Sequence, residues 1–323
     1  MHLIRMTAGV AMTLMAGWAL AFGAAGHRTV GAMADRLIAG SRAEQEVAAL
    51  LNRGESLESI ATWADCAKGN CGRLTLEMQA FVAANPKHRS YHYTDLPFQA
   101  KTYRYRAVGS DELDVVHILK QCIHVLGSTG GKNDNPHRFT KRQALLLLVH
   151  LVGDIHQPLH VGTAYMDKEM KFVVPLRSRD IDNRRIFTTY GDNDLMIGKT
   201  TLHSYWDSKA VTYAMRAAKA KTPARFAAHL IRRYPQSRTY AGQATEWPAK
   251  WATQSLAQSR DVHHSLEVTA REEDSAADTR GRIHYKWQVT APRDYSATAS
   301  KIATEQLARA GLQLAAVLQA IWP

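Results

Sequence analysis

The chain has 323 residues, 46% of them hydrophobic and 22% charged, with a formal net charge of +12. This is an ordinary globular composition, long enough to bury a sizeable core, and its positive balance favours polyanions or anionic surfaces. Three cysteines without a C-x2-C pair exclude a Cys-rich zinc site, and no apolar stretch beyond the first residues is long enough to span a bilayer.

Residues 1–21 read as a secretory signal. Arg5 supplies the positive start, an apolar run follows from Met6 to Leu20, and Ala19-Leu20-Ala21 is an A-x-A cleavage site. That run is about 15 residues, short of the about 20 a membrane anchor needs. The mature chain is therefore expected to begin at Phe22, to fold as one domain over 22–323, and to be periplasmic or secreted, without stable membrane association. Apolar spacing predicts helices over 27–39 and 42–52, with Ser41 as an N-cap between them. A third ends near Trp63. Acidic residues open a helix over 111–126, and the nearly all-apolar 139–153 predicts a central, buried one. Further helices are expected over 203–219, 223–233, 238–258 and 297–320. Two β-type runs, Lys171–Leu176 and Arg185–Tyr190, predict a surface hairpin. Residues 262–294 carry His263, His264, the acidic patch Arg271–Asp278 and a β-type run Ile283–Thr290; a long loop or small excursion is expected there. The fold class is thus mainly α, a compact helical domain with a small β-hairpin excursion. Cys66 and Cys71 suit a small disulfide loop in an oxidising compartment, while Cys122 sits in an apolar helical pattern as a buried thiol.

The chemistry concentrates in short motifs. His150-x3-Asp154-x5-His160 lies in LLLLVHLVGDIHQPLHVG, and His203-x3-Asp207 lies in TLHSYWD. A spacing of four puts two side chains on one helix face. Imidazole nitrogens and carboxylate oxygens converging from separate helices are the donors that hold zinc, and in an apolar run such groups are costly unless paired or coordinated. Trp63-Ala64-Asp65 ends a helix with an acid, and Ser90-Tyr91-His92-Tyr93-Thr94-Asp95 sets a histidine and an acid three apart. Signal removal would free the amine of Phe22 in Phe22-Gly-Ala-Ala-Gly-His27.

These motifs, in this order and spacing, resemble the trinuclear-zinc, single-strand-specific nucleases and 3′-nucleotidases of the S-one/P-one nuclease family. Its members begin Trp-Gly-x-x-Gly-His and continue with Trp-Ala-Asp, an aromatic-flanked His-x-x-Asp, His-x3-Asp-x5-His and His-x3-Asp. The resemblance runs from Phe22 to the C-terminal AGLQLAAVLQAI. It implies a helical fold shared with zinc phospholipases C, and three Zn2+ per chain. Asp65, His92, His150 and Asp154 would hold one. The Phe22 amine and carbonyl, His27 and Asp154 would hold a second, with Asp154 bridging, and His160, His203 and Asp207 a third. It implies hydrolysis of single-stranded RNA or DNA to 5′-phosphate products by metal-bound hydroxide, with a third zinc stabilising the leaving 3′ oxygen. Asp95 either orients a ligand histidine or, as in the family, positions the attacking water. Tyr93 is implied as a base-stacking aromatic, against a core tyrosine beside a ligand. Gly191-Asp192-Asn193-Asp194 resembles a Gly-Gly-Asn-Asp stretch of the family, which makes Asn193 a candidate substrate-binding residue. A monomer is expected.

Departures are also visible. Phe22 replaces the usual tryptophan, and the stretches between Asp65 and His92 and between His160 and His203 are long. The run Tyr103-Arg104-Tyr105-Arg106 suits either a strand backbone or a solvated edge. Two other classes compete. A zinc phospholipase C would end its ligand set in glutamate and have a wider gap from N-terminus to first histidine and a shorter interval before the last. A non-catalytic zinc- or nucleic-acid-binding protein would lack a ligand, and none is missing.

Overall fold

The computed structural model describes residues 22–128, 135–181, 185–235, 240–274 and 284–323. The signal at 1–21 lies outside them, as does Ile283 and the end of the Arg271–Asp278 patch. Helices dominate: α1 Gly23–Leu37, α2 Arg42–Leu50, α3 Leu57–Ile60, α4 Trp63–Asp65, α5 Leu76–Ala84, α6 Val115–Gly127, α7 Lys141–His156, α8 Leu202–Ser204, α9 Val211–Ala217, α10 Pro223–Arg233, α11 Trp247–His264 and α12 Tyr295–Ile321.

Helix α7 is the axis of the molecule. Its N-terminus is closed by a capping box in which Thr140 Oγ1 accepts from Gln143 N at 3.0 Å and Gln143 Oε1 accepts from Thr140 N at 3.1 Å. Every residue from Ala144 to His156 is buried, which matches its all-round apolar sequence. Helices α1, α4, α6, α11 and α12 pack around it. Burying a Leu or Val side chain contributes about 1.5–3 kcal/mol, so Leu145–Val149 and Leu151–Val152 bind this element firmly into the core. His150 and Asp154 are thereby fixed at the centre of the fold.

The strands are short except at one edge. Strand β1 (Leu96–Pro97) pairs in parallel with β2 (Gly162–Thr163), and β3 (Tyr165–Asp167) runs antiparallel to β4 (Ile186–Thr188). Strands β5 (Leu195–Ile197), β6 (Thr200–Thr201), β7 (Glu267–Asp274) and β8 (His284–Thr290) form one sheet in the order β6-β5-β8-β7.

Several expectations are corrected. The hairpin does not use Lys171–Leu176 as its first strand; Tyr165 and Met166 are the buried pair that meets β4, while Val174 and Leu176 face solvent. The region after α11 is more than a loop. Its strands β7 and β8 complete a four-stranded sheet, because Trp287 is fully buried against β5. Helix α11 runs to His264, so His263 lies in a helix rather than a loop, and it is buried. The expected helix 203–219 is interrupted by π-helical turns over Tyr205–Ala210, and α5 was not foreseen. Cys66 and Cys71 are bridged, and Cys122 is buried with its thiol pKa pushed up by desolvation.

Candidate metal centre

Four donors meet beside α7. His150 Nδ1 donates to Ala61 O at 2.8 Å, which leaves Nε2 as the free lone pair. That Nε2 stands 3.2 Å from Asp154 Oδ2, 3.6 Å from Asp65 Oδ1 and 3.2 Å from His92 Nδ1. His92 Nδ1 in turn lies 2.8 Å from Asp154 Oδ2 and 3.9 Å from Asp65 Oδ1. Donors about 2.0–2.1 Å from one tetrahedral zinc stand roughly 3.3 Å apart, so these spacings fit a shared ion.

Asp154 faces two ways. Its other oxygen, Oδ1, is 3.3 Å from His27 Nε2, and the His27 ring stacks on His150 with centroids 3.9 Å apart. A side chain at Gly153 would put Cβ 2.5 Å from His27 Nδ1, so this glycine makes room for the ring. His27, Asp65 and His150 also form a candidate metal-holding group.

His160, His203 and Asp207 make another such group. His160 Nδ1 donates to His92 O at 2.8 Å and His203 Nδ1 to Gly191 O at 2.6 Å, repeating the anchoring seen at His150. His203 Nε2 then lies 3.3 Å from Asp207 Oδ2. Phe22 is fully buried, and its nitrogen is 3.2 Å from Asp207 Oδ1 while its carbonyl accepts the helical bond from Gly26 N. The expected second group is thus brought together in part: His27 meets Asp154, and Phe22 meets Asp207.

The donor set passes a direct test for metal. Both nitrogens of His27, Asp154 Oδ1, His160 Nε2 and Asp207 Oδ2 are buried without a well-formed hydrogen bond. Each such group costs about 1–3 kcal/mol if nothing satisfies it, and cations of the zinc type suit this nitrogen and oxygen set. The electrostatics agree for three of the histidines, whereas Asp154 and Asp65 outweigh burial at His150 and raise its pKa. Burial holds His27, His92 (about 4) and His160 (about 3) below the usual histidine range, hence neutral. Burial works against ionisation of Asp65, but His150, Lys68 and His92 outweigh it and pull the carboxyl to about 2. Asp154 is likewise pulled well below the usual carboxylate range, chiefly by His150, against its burial. Neutral imidazole and ionised carboxylate are the protonation states that bind metal.

A cleft of about 340 Å³ opens above His92, His160 and His203, walled by Lys68, Arg89, Tyr93, Asp95, Tyr190 and Asn193. Tyr93 is 40% exposed. Asp95 is half-buried, with its carboxyl pushed up to about 7 by burial and by Asp192, partly offset by His203. Asn193 Nδ2 donates to Tyr190 O at 2.8 Å. All the site residues expected from sequence therefore line this centre or its cleft. Sequence reasoning missed Lys68, whose only signal was its place three residues after Asp65. It missed Gln157, which donates from Nε2 to Asp207 Oδ1 at 2.7 Å, although that glutamine lies between two ligands of one motif.

Fold and site together define a class: a helical protein with buried histidine–carboxylate clusters able to hold metal, under a cleft that carries Lys68 and Arg89. A family model described as S1/P1 Nuclease matches residues 22–323, and the chain belongs to that family. Endonuclease 1 of Arabidopsis thaliana is 38% identical over 79 residues, covering 22% of this chain and 25% of that protein. The match thus spans about a quarter of that relative's length.

Proposed function

We propose that the protein is a zinc-dependent endonuclease that hydrolyses phosphodiester bonds of single-stranded RNA or DNA to 5′-phosphate products and also removes phosphate from 3′-mononucleotides. The observation that carries this is the convergence of buried, unsatisfied imidazole and carboxylate atoms under a cleft lined by Lys68 and Arg89. Three Zn2+ held there, by Asp65, His92, His150 and Asp154, by Phe22, His27 and Asp154, and by His160, His203 and Asp207, would supply Lewis-acid charge and a reactive water. The residues around them do the rest. Lys68 and Arg89 attract and hold the phosphate. Asp95, on the wall of the cleft, orients the attacking water. Tyr93 stacks an unpaired base for about 1–3 kcal/mol, which favours single strands, and Asn193 addresses the base edge. The domain is 22–323, a secreted or periplasmic monomer. Among the described residues no helix is long and apolar enough to cross a membrane.

The test compares protein starting at Phe22 with Asp154→Asn. Close to three zincs per chain, with 5′-phosphate ends from single-stranded substrate and loss of both in the variant, is the expected result. Full zinc with no nuclease activity but release of phosphocholine from lipid would point to a phospholipase instead.

A further inference from the structure

Behind the His203 side of the cleft lies a buried pair that the proposed chemistry does not use. His263 Nε2 is 2.7 Å from Asp192 Oδ2, and both side chains are almost wholly enclosed. His263 Nδ1 lies 2.7 Å from Ser259 O, so both ring nitrogens face oxygen partners within the protein. The ring is stacked on Phe98 at 4.1 Å and met edge-on by Phe172, which leaves it little freedom to turn. The second oxygen of Asp192 accepts from Ala164 N at 2.9 Å and lies 2.8 Å from Thr189 Oγ1. Burial opposes ionisation of this carboxyl, but His263 and the bonds from Ala164 and Thr189 outweigh it and hold its pKa down.

The turn that carries Asp192 is strained. Tyr190, Gly191 and Asp192 have φ of 52°, 64° and 62°, three left-handed residues in succession, two of them not glycine. Such backbone persists only where its surroundings over-determine it. This turn grips His203 twice: Gly191 O accepts from the ring Nδ1 at 2.6 Å, and Asp192 O accepts from the backbone N at 3.4 Å.

We propose that the Asp192–His263 pair positions the third metal group: it clamps the left-handed turn at 190–192 so that His203 holds its Nε2 toward His160 and Asp207. This rests on the zinc nuclease proposed above. His263 is not itself a ligand, since neither nitrogen is free. It acts through Asp192, then through the Gly191 carbonyl, on the ring that would touch the ion. Partners of this kind typically change metal affinity by 10–100-fold.

The experiment counts zinc per chain by mass spectrometry while a chelator is titrated against the loaded protein, with folding followed by circular dichroism. Wild type, His263→Ala and His263→Gln are compared, because glutamine keeps one donor for Asp192. Affinity for one of the three zincs should fall about 10–100-fold in His263→Ala, with the other two unchanged, and should recover in large part in His263→Gln. Turnover should drop in step and return when free zinc is raised, with little change in KM. If His263→Ala does not fold, Thr189→Val removes a hydroxyl from the same carboxylate and should lower the same affinity to a smaller degree. Wild-type retention of all three zincs in the folded variant overturns the proposal. So does an even loss of all three, which would mark a merely structural role. Fewer than three zincs in the wild type itself would instead remove the ligand assignment beneath it.

Discussion

Lys68 Nζ lies 2.6 Å from Asp65 Oδ1, so a lysine charge touches a carboxylate that would hold metal. The lysine is kept there from two sides. Arg89 Nη2 donates to its carbonyl at 2.6 Å, and the Cys66–Cys71 bridge closes the loop that carries it. Once a cation shares the charge of Asp65, the ammonium is available to a phosphate in the cleft. Lys68→Met should therefore leave the zinc count unchanged and lower kcat by about 10²–10³, the usual loss for one preorganised donor to a developing oxyanion. Unaltered kcat on an oligonucleotide would remove Lys68 from the machinery.

Gly153 is where two rings depend on a missing side chain. A methyl group there would stand 2.5 Å from His27 Nδ1, and the His27 ring is also stacked on His150. Gly153→Ala should destabilise the fold by about 1–3 kcal/mol through overpacking. It should also weaken zinc at His27 more than at His203. Calorimetry and zinc counting read the two effects separately, and a variant with wild-type stability and metal content would show that the ring can move at no cost.

Acid should strip the centre in stages. Burial alone would keep His150 neutral, but Asp154 and Asp65 outweigh it and raise its pKa above the ordinary 6.5. Zinc binds only the unprotonated ring, so protons begin to compete at His150 while the pH is still above that value. His27, His92 and His160 have lowered values and join only at lower pH. Chelator-competition affinity should thus fall gently at first on acidification and then more steeply. A single steep loss confined to pH 4 or so would contradict this order.

Far from the centre, Arg142 ties α7 to α2, to α5 and to the loop before α3. Its guanidinium donates to both oxygens of Glu55 at 2.7 and 2.9 Å, to Glu77 Oε1 at 3.1 Å and to Leu50 O at 3.0 Å. The Arg142 hydrogen bonds hold the Glu55 carboxyl below its usual range, so their stabilisation is present above the unfolded pKa of about 4.5 and is lost as pH falls through the lower folded value. Arg142→Ala should lower stability by about 1–3 kcal/mol at neutral pH with kcat unchanged. The difference from wild type should shrink in acid, and denaturant titrations at two pH values check it.

How much of this was legible beforehand depends on range. His150 and Asp154 stand out because a helical spacing of polar groups inside LLLLVHLVGD has few explanations other than coordination. The motif order pointed to the remaining candidate ligands along the chain. What stayed hidden was contact between distant segments. Nothing near His263 announces Asp192, which is 71 positions away, and the polar string around it reads as a loop until Phe98 and Phe172 are seen against its ring. Strand β8 shows the same limit: its place between β5 and β7 follows from burial of Trp287, which no local pattern encodes. Helix α5 was missed because its apolar residues mark no single face, although Thr75 caps it.

The anchoring of the candidate ligand histidines links the site to the docking of other segments. His150, His160 and His203 lean on carbonyls of Ala61, His92 and Gly191, which lie 89, 68 and 12 residues away along the chain. No ring can be aimed until those segments have already docked, so an unfolded chain offers scattered histidines rather than a chelate. Any ion held by these rings would therefore bind the docked segments and not the unfolded chain, so its binding energy would add to the stability of the fold.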